Sequence, residues 1–165
     1  MWKMEMLREF CQELNFLLAA LDRVCTHETC PTMAVKGQEY LCAAHRGGAK
    51  PCSAIDYMVH TLESQTTLLN NQGLFPTRTE VAADSAQHFV SVARRLYRIF
   101  SHAFFHHPAT LMAFEEKTHT AGRFIDFVSH HNLVKPEERL IPGDMGDMGM
   151  GGRALGGGGG GGGKG

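Results

Sequence analysis

The residues with the most chemical potential in this chain are cysteines near its start and histidines far behind them. Cys25 and Cys30 bracket a four-residue turn, and His102, His106 and His107 crowd the last stretch before Pro108. Two thiolates and two imidazoles suit zinc, a borderline-soft ion that takes four such ligands tetrahedrally, and these spacings match structural sites. About 70 residues separate the two halves, which excludes a compact nucleic-acid-reading finger with its linker of about a dozen. Such a metal would staple a loop to a helix end. The fourth ligand stays open beside His102: on an ideal helix His102 and His106 lie about 40° apart, with His107 about 140° round. Pro108 disfavours helical backbone at His107 and can re-aim that ring. The plainer alternative is half-buried polar histidines beside ordinary small apolar cysteines. A rival set, Cys42, His45 and Cys52, sits in a loop and has no obvious fourth ligand.

A second cluster is basic. Arg94 and Arg98 are four residues apart and Arg95 and Arg98 three, so their guanidiniums can converge on one helix face. No acid stands three or four residues from any of them between Phe89 and His107. Planar forked donors match a phosphate group, so a phosphorylated partner is the natural guest. The competing expectation is a solvated face paired with acids from elsewhere, such as Glu115 or Glu116. Enzyme signatures are weak, since HExxH, Gly-x-Ser-x-Gly and phosphate-cradling Gly loops are absent. A zinc hydrolase with three protein ligands and Glu115 or Glu116 as base is the alternative from another class.

These side chains need a scaffold, and the pattern predicts helices. Leu7, Phe10, Leu14, Leu17, Leu18 and Leu21 recur at three and four residues from Trp2 onward. Cys25 to Pro51 has no sustained period beyond a short strand over Gln38 to Cys42, and reads as a long connection that something must pin. Ser53 can cap a second helix to about Asn70, with Ile55, Met58, Val59, Leu62, Leu68 and Leu69 inward. Asp84 or Ser85 opens a central helix buried through Phe89, Val92, Ala93, Leu96, Ile99, Phe100 and Ala103. A last helix runs from Leu111 to His131 with Asn132 as C-cap. Four helices and one long loop define an all-α bundle.

Bulk properties set the class. With 165 residues, 43% hydrophobic and 20% charged, the chain suits one soluble domain. A net charge of −1 gives no basic field for nucleic acid. No run is long and apolar enough for a membrane span, and the N-terminus lacks a signal peptide's apolar block. A cytoplasmic or nuclear setting follows, in which the five cysteines read as thiols or metal ligands rather than disulfides. Residues 1–142 form the expected domain, and the Gly-rich tail 143–165 is assigned no structure. The helix starting at Trp2 without a cap suggests that sequence is missing upstream.

Longer stretches make a family resemblance specific. Leu41-Cys42-Ala43-Ala44-His45, Pro51-Cys52-Ser53-Ala54-Ile55-Asp56-Tyr57, His60-Thr61-Leu62, Leu74-Phe75-Pro76-Thr77-Arg78 and Arg95 through His107 resemble the Mob family. Within it they are similar to the phocein (Mob-like protein four) branch, over about residues 2–142. The resemblance implies a Mob-type helical bundle with one structural zinc on Cys25, Cys30, His102 and His107, selecting His107 over His106. It implies a phosphopeptide pocket at Arg94, Arg95 and Arg98. It also implies a non-enzymatic adaptor in striatin-scaffolded (STRIPAK) complexes, beside type 2A protein phosphatase and a germinal-centre-type kinase. The setting would be cytoplasmic, with peripheral association to internal membranes. Family members carry a sizeable segment before the residues matching Trp2, and the Gly-rich tail has no counterpart.

Overall fold

The computed structural model describes residues 2–77, 81 and 83–142, with the side chains of Ala83 and Asp84 left aside. The tail 143–165, the Asp84 side chain and Arg78 thus lie outside the described residues. Helix α1 (Trp2–Leu21) buries Leu7, Phe10, Leu14, Leu17, Leu18 and Leu21, the whole of its apolar stripe. It packs against α2 (Ala54–Leu69), α3 (Ala83–His106), α4 (Pro108–Thr118) and α5 (Thr120–His130). The expected stripe of α3, Phe89, Val92, Ala93, Leu96, Ile99, Phe100 and Ala103, is buried, whereas Val90 faces outward. At the centre, the Phe124 ring meets Phe10 edge-on at 5.1 Å and Phe100 tilted at 4.9 Å.

Helix α2 begins where its cap predicts, with Ser53 Oγ accepting from Asp56 N–H at 3.3 Å. Its inward face differs in detail: Tyr57, Thr61 and Gln65 are buried, whereas Val59 is exposed. The long connection holds only a two-residue hairpin, β1 (Ala34–Val35) with β2 (Gln38–Glu39), paired Ala34 to Glu39 and Val35 to Gln38. Lys36 and Gly37 at φ 49° and 79° make the tight turn that antiparallel strands favour. The expected strand over Gln38 to Cys42 is therefore shorter, and Leu41 points outward.

The last helix is two helices, so the bundle has five among the described residues rather than four. His119 takes a left-handed φ of 51° and turns the chain between α4 and α5. The buried Glu115 carboxylate accepts the Ala121 and Gly122 N–H groups at 2.8 and 2.9 Å, capping α5 through space. A Cβ on residue 122 would stand 2.9 Å from Glu115 Oε1, so a side chain there would push the capping carboxylate aside. At the far end Asn132 adopts φ 52°, with Leu133 N–H donating to Val128 O and Asn132 N–H to Ser129 O. That is the Schellman arrangement, with Asn132 one residue past the cap.

Truncating Phe124 to Ala should remove the ring shared by α1, α3 and α5 and cost about 3–5 kcal/mol. Denaturant unfolding followed by circular dichroism measures it.

Candidate functional site

Past Leu21 the chain tightens rather than stops. Val24 and Cys25 N–H groups both donate to Leu21 O, at 2.9 and 2.7 Å, which fixes where the first thiol emerges. Thr26 and Thr29 then lock the turn. Thr29 Oγ1 accepts from Thr26 N–H at 2.8 Å and donates to Val24 O at 2.9 Å. Cys30 N–H closes on Thr26 O at 2.9 Å, and the Cys30 carbonyl accepts from Ala54 N–H, the first residue of α2. Both cysteines are buried.

The histidine half depends on how α3 ends. His106 is its last helical residue, and His107 leaves the helix at φ −134°, ψ 52° to become the N-cap of α4, with Pro108 at the first position. Proline tolerates that position because its missing N–H would be unpaired there anyway. This departure swings the His107 ring so that its Nε2 lies 3.4 Å from Cys30 Sγ. His102, still helical, puts Nε2 3.5 Å from Cys25 Sγ. Its Nδ1–H donates to Ala34 O at 2.9 Å, which sets the tautomer and presents Nε2 to the sulfur. His106 is exposed and stacks on the His102 ring at 4.5 Å, outside the cluster.

Cys25, Cys30, His102 and His107 thus offer two sulfur and two nitrogen atoms, all within 4.8 Å of one another, and can hold a metal ion. The donor set fits zinc. Bonds of about 2.3 Å to sulfur and 2.0 Å to nitrogen at tetrahedral angles place S and N about 3.5 Å apart, close to the two separations found. Burial, reinforced by Cys30, pushes the Cys25 thiol up to about 12. Burial pulls His102 down to about 4 and also lowers His107, so both rings are neutral near pH 7. Neutral imidazoles are ready ligands, whereas the thiols must lose their protons to a cation.

The arginines are not equivalent. Arg94 and Arg95 are exposed and Arg98 is half-buried. Arg94 pairs with Glu138 at 2.5 Å, an acid of the 3-10 turn Pro136–Glu138, instead of Glu115 or Glu116. Arg98 donates to Tyr57 Oη at 3.0 Å and lies over the Tyr40 ring at 4.4 Å. Among the described residues Arg95 has no acidic partner. All three line a depression of about 280 Å³ with Gln87, Val90 and Ser91. Glu115, the base in the hydrolase alternative, has both carboxylate oxygens engaged in capping α5. The Cys42, His45 and Cys52 set also converges, at one edge of the long loop.

Among the described residues, five helices around one core, with a long loop gathered to a Cys2His2 cluster at the end of the central helix, define an all-α protein with a metal-capable clamp. The chain belongs to the Mob1/phocein family, which it matches over residues 1–141. It is 48% identical over 142 residues to the MOB-like protein phocein of Caenorhabditis elegans, covering 86% of this chain and 63% of that protein. It is 44% identical over 147 residues to the MOB kinase activator-like 4 of Drosophila melanogaster, covering 88% and 66%. Human MOB kinase activator 2 is more distant, at 27% over 156 residues, covering 90% and 66%. The chain therefore spans about two thirds of the length of these relatives. Among the described residues no helix is long and apolar enough to cross a membrane.

Because both side chains of the Arg94–Glu138 pair stay in contact with solvent, at 46% and 31% exposure, a double-mutant cycle on unfolding free energy should give a coupling of only about 0.2–1 kcal/mol. A larger value would mean that Arg94 is committed to Glu138 rather than open to a ligand.

Proposed function

We propose that this chain is a non-enzymatic adaptor that regulates a kinase or phosphatase by binding a phosphorylated segment of its partner. Its domain is residues 1–142, and 143–165 is a Gly-rich tail. The observation that carries the reading is Arg95, exposed and without an acid beside it, flanked by Arg94 and Arg98 around one depression. A phosphate bound there would neutralise a cluster that the fold leaves partly uncompensated, through charge-assisted forked hydrogen bonds. The names of the relatives, kinase activators and a phocein, support a kinase-linked role. The resemblance extends this to a striatin-type scaffold, type 2A protein phosphatase and a germinal-centre-type kinase as partners, in the cytoplasm.

In this reading Cys25, Cys30, His102 and His107 hold one zinc ion with a structural task. Four protein ligands leave no coordination position for substrate. The ion would tie the segment after α1 to the end of α3, the helix that carries the arginines.

Two experiments test the reading. Calorimetry with a phosphothreonine peptide from a germinal-centre-type kinase should show Arg95→Ala losing about 1.5–3 kcal/mol of affinity. Its melting temperature should not move, and unchanged affinity would overturn the phosphopeptide assignment. For the metal, Cys25→Ser and His107→Ala should each lose one zinc per chain by elemental analysis and melt earlier, because binding is coupled to folding. His106→Ala should keep its zinc; loss from that variant with retention in His107→Ala would reverse the ligand assignment.

A further inference from the structure

We propose that the chain holds a second structural metal ion, a zinc-class cation bound by Cys42, His45, Cys52 and His60. In sequence the first three form an incomplete loop set. The fold completes it with His60, which stands on the exposed-to-buried border of α2 and reads along the chain as an ordinary polar helix residue.

The four donor atoms lie within 4.8 Å of one another, as in the first cluster. Cys42 Sγ is 3.4 Å from His60 Nδ1, and Cys52 Sγ is 3.9 Å from the same nitrogen. His45 Nε2 reaches Cys52 Sγ at 2.7 Å, and the two imidazole rings meet edge to face at 5.3 Å. One sulfur–nitrogen separation thus lies near the ~3.5 Å edge of a tetrahedron with zinc-length bonds, with one longer and one shorter. The donors are two thiols and two imidazoles with no carboxylate, a combination that selects zinc over calcium or magnesium.

Backbone geometry builds the site from three elements. Cys42 and Lys50 exchange N–H···O bonds of 2.8 and 3.0 Å, closing the loop between them. Gly47 and Gly48 at φ 87° and 114° supply its return. Cys52 follows two residues later, directly before the Ser53 cap of α2, and its carbonyl accepts from Met33 N–H. His60 then projects from the second turn of the helix that Ser53 starts.

That loop has nothing else to hold its side chains. Ala43, Ala44 and every residue from Arg46 to Pro51 are exposed, while Cys42 is buried and His45, Cys52 and His60 are half-buried. An apolar anchor is missing, and the only groups turned inward are the four donors. A loop with so little apolar anchorage is one that a ligand would pin, beyond what its few backbone bonds supply. With four protein ligands the ion has no open position, so its role is structural. It also has a neighbour: Cys42 and His60 line the same cleft as Tyr57, Arg95 and Arg98. The second ion would thereby fix one wall of the cleft that Arg95 and Arg98 line.

Native mass spectrometry of the full chain, purified from zinc-supplemented cells without chelators, should give the mass of the polypeptide with two zinc ions. His60→Ala, at a half-exposed position, should carry one. Retention of two zincs in His60→Ala would overturn the proposal, as would a Cys42–Cys52 disulfide in the native protein. A site-specific readout does not depend on that variant folding or on the Cys25–Cys30 cluster. Cys42 and Cys52 should resist iodoacetamide until a chelator is added and then alkylate. Alkylation of both at full rate in untreated native protein would overturn the second site whatever the first one holds.

Discussion

The stretch between α1 and α2 is the constraint on which this molecule turns, because it contains almost no backbone ladder of its own. Its regular structure is a two-residue hairpin and one isolated bridge between Cys42 and Lys50. A bundle can tolerate such a length only if its ends are fastened, since every ordered residue costs about 1–2 kcal/mol of backbone entropy. Three backbone bonds do part of this: Cys30 O to Ala54 N–H, Met33 N–H to Cys52 O, and Tyr40 N–H to Met33 O. The rest falls to side chains, and those that turn inward include two thiol–imidazole clusters. His102 joins both modes, since its Nδ1 holds Ala34 of the hairpin while its Nε2 faces Cys25.

Much of this was legible in the chain. The heptad-like stripes of α1 and α3 named the core without error because each is a long run with one periodicity and no competing signal. Ser53 marked α2, and Asn132 marked the end of α5. What escaped was decided through space. The break at His119 depends on Glu115 folding back to cap Ala121 and Gly122, and nothing in Glu115-Glu116-Lys117 distinguishes the capping carboxylate from a solvated one. Spacing alone places Val59 inward, but the inward face of α2 takes in Tyr57, Thr61 and Gln65 instead. Their neighbour Arg98 gives the phenol of Tyr57 a reason to be inside.

The two clusters differ in legibility for a similar reason. Cys25 and Cys30 flank a turn and the histidines end a helix at a proline, so both halves announce themselves. Spacing left His106 and His107 open because an ideal helix favours His106. The outcome depends on the φ, ψ change that Pro108 imposes one residue earlier, which carries His107 off the helix and leaves His106 stacked outside. In the other cluster the missing partner was a histidine within an amphipathic helix. Its signal lay in the eight-residue offset from Cys52, which becomes meaningful only once Ser53 is known to start a helix there.

On the arginine face, structural roles and the proposed binding role fall on the same residues. Arg98 is tied to Tyr57 of α2 and stacked on Tyr40 beside the hairpin, so it joins α3 to two other elements. Removing it would disturb the scaffold as well as any ligand contact, and a loss of binding in such a variant would carry two causes. Arg94 is partly neutralised by Glu138, whose turn follows α5. A ligand at Arg94 would therefore compete with a part-exposed ion pair worth little, whereas at Arg95, among the described residues, it would compete with no acid. The three positions form a gradient from scaffold to open donor. In the proposed reading, a phosphate entering from solvent would meet Arg95 with no bond to break among the described residues, Arg94 after displacing a weak pair, and Arg98 held by Tyr57 and Tyr40.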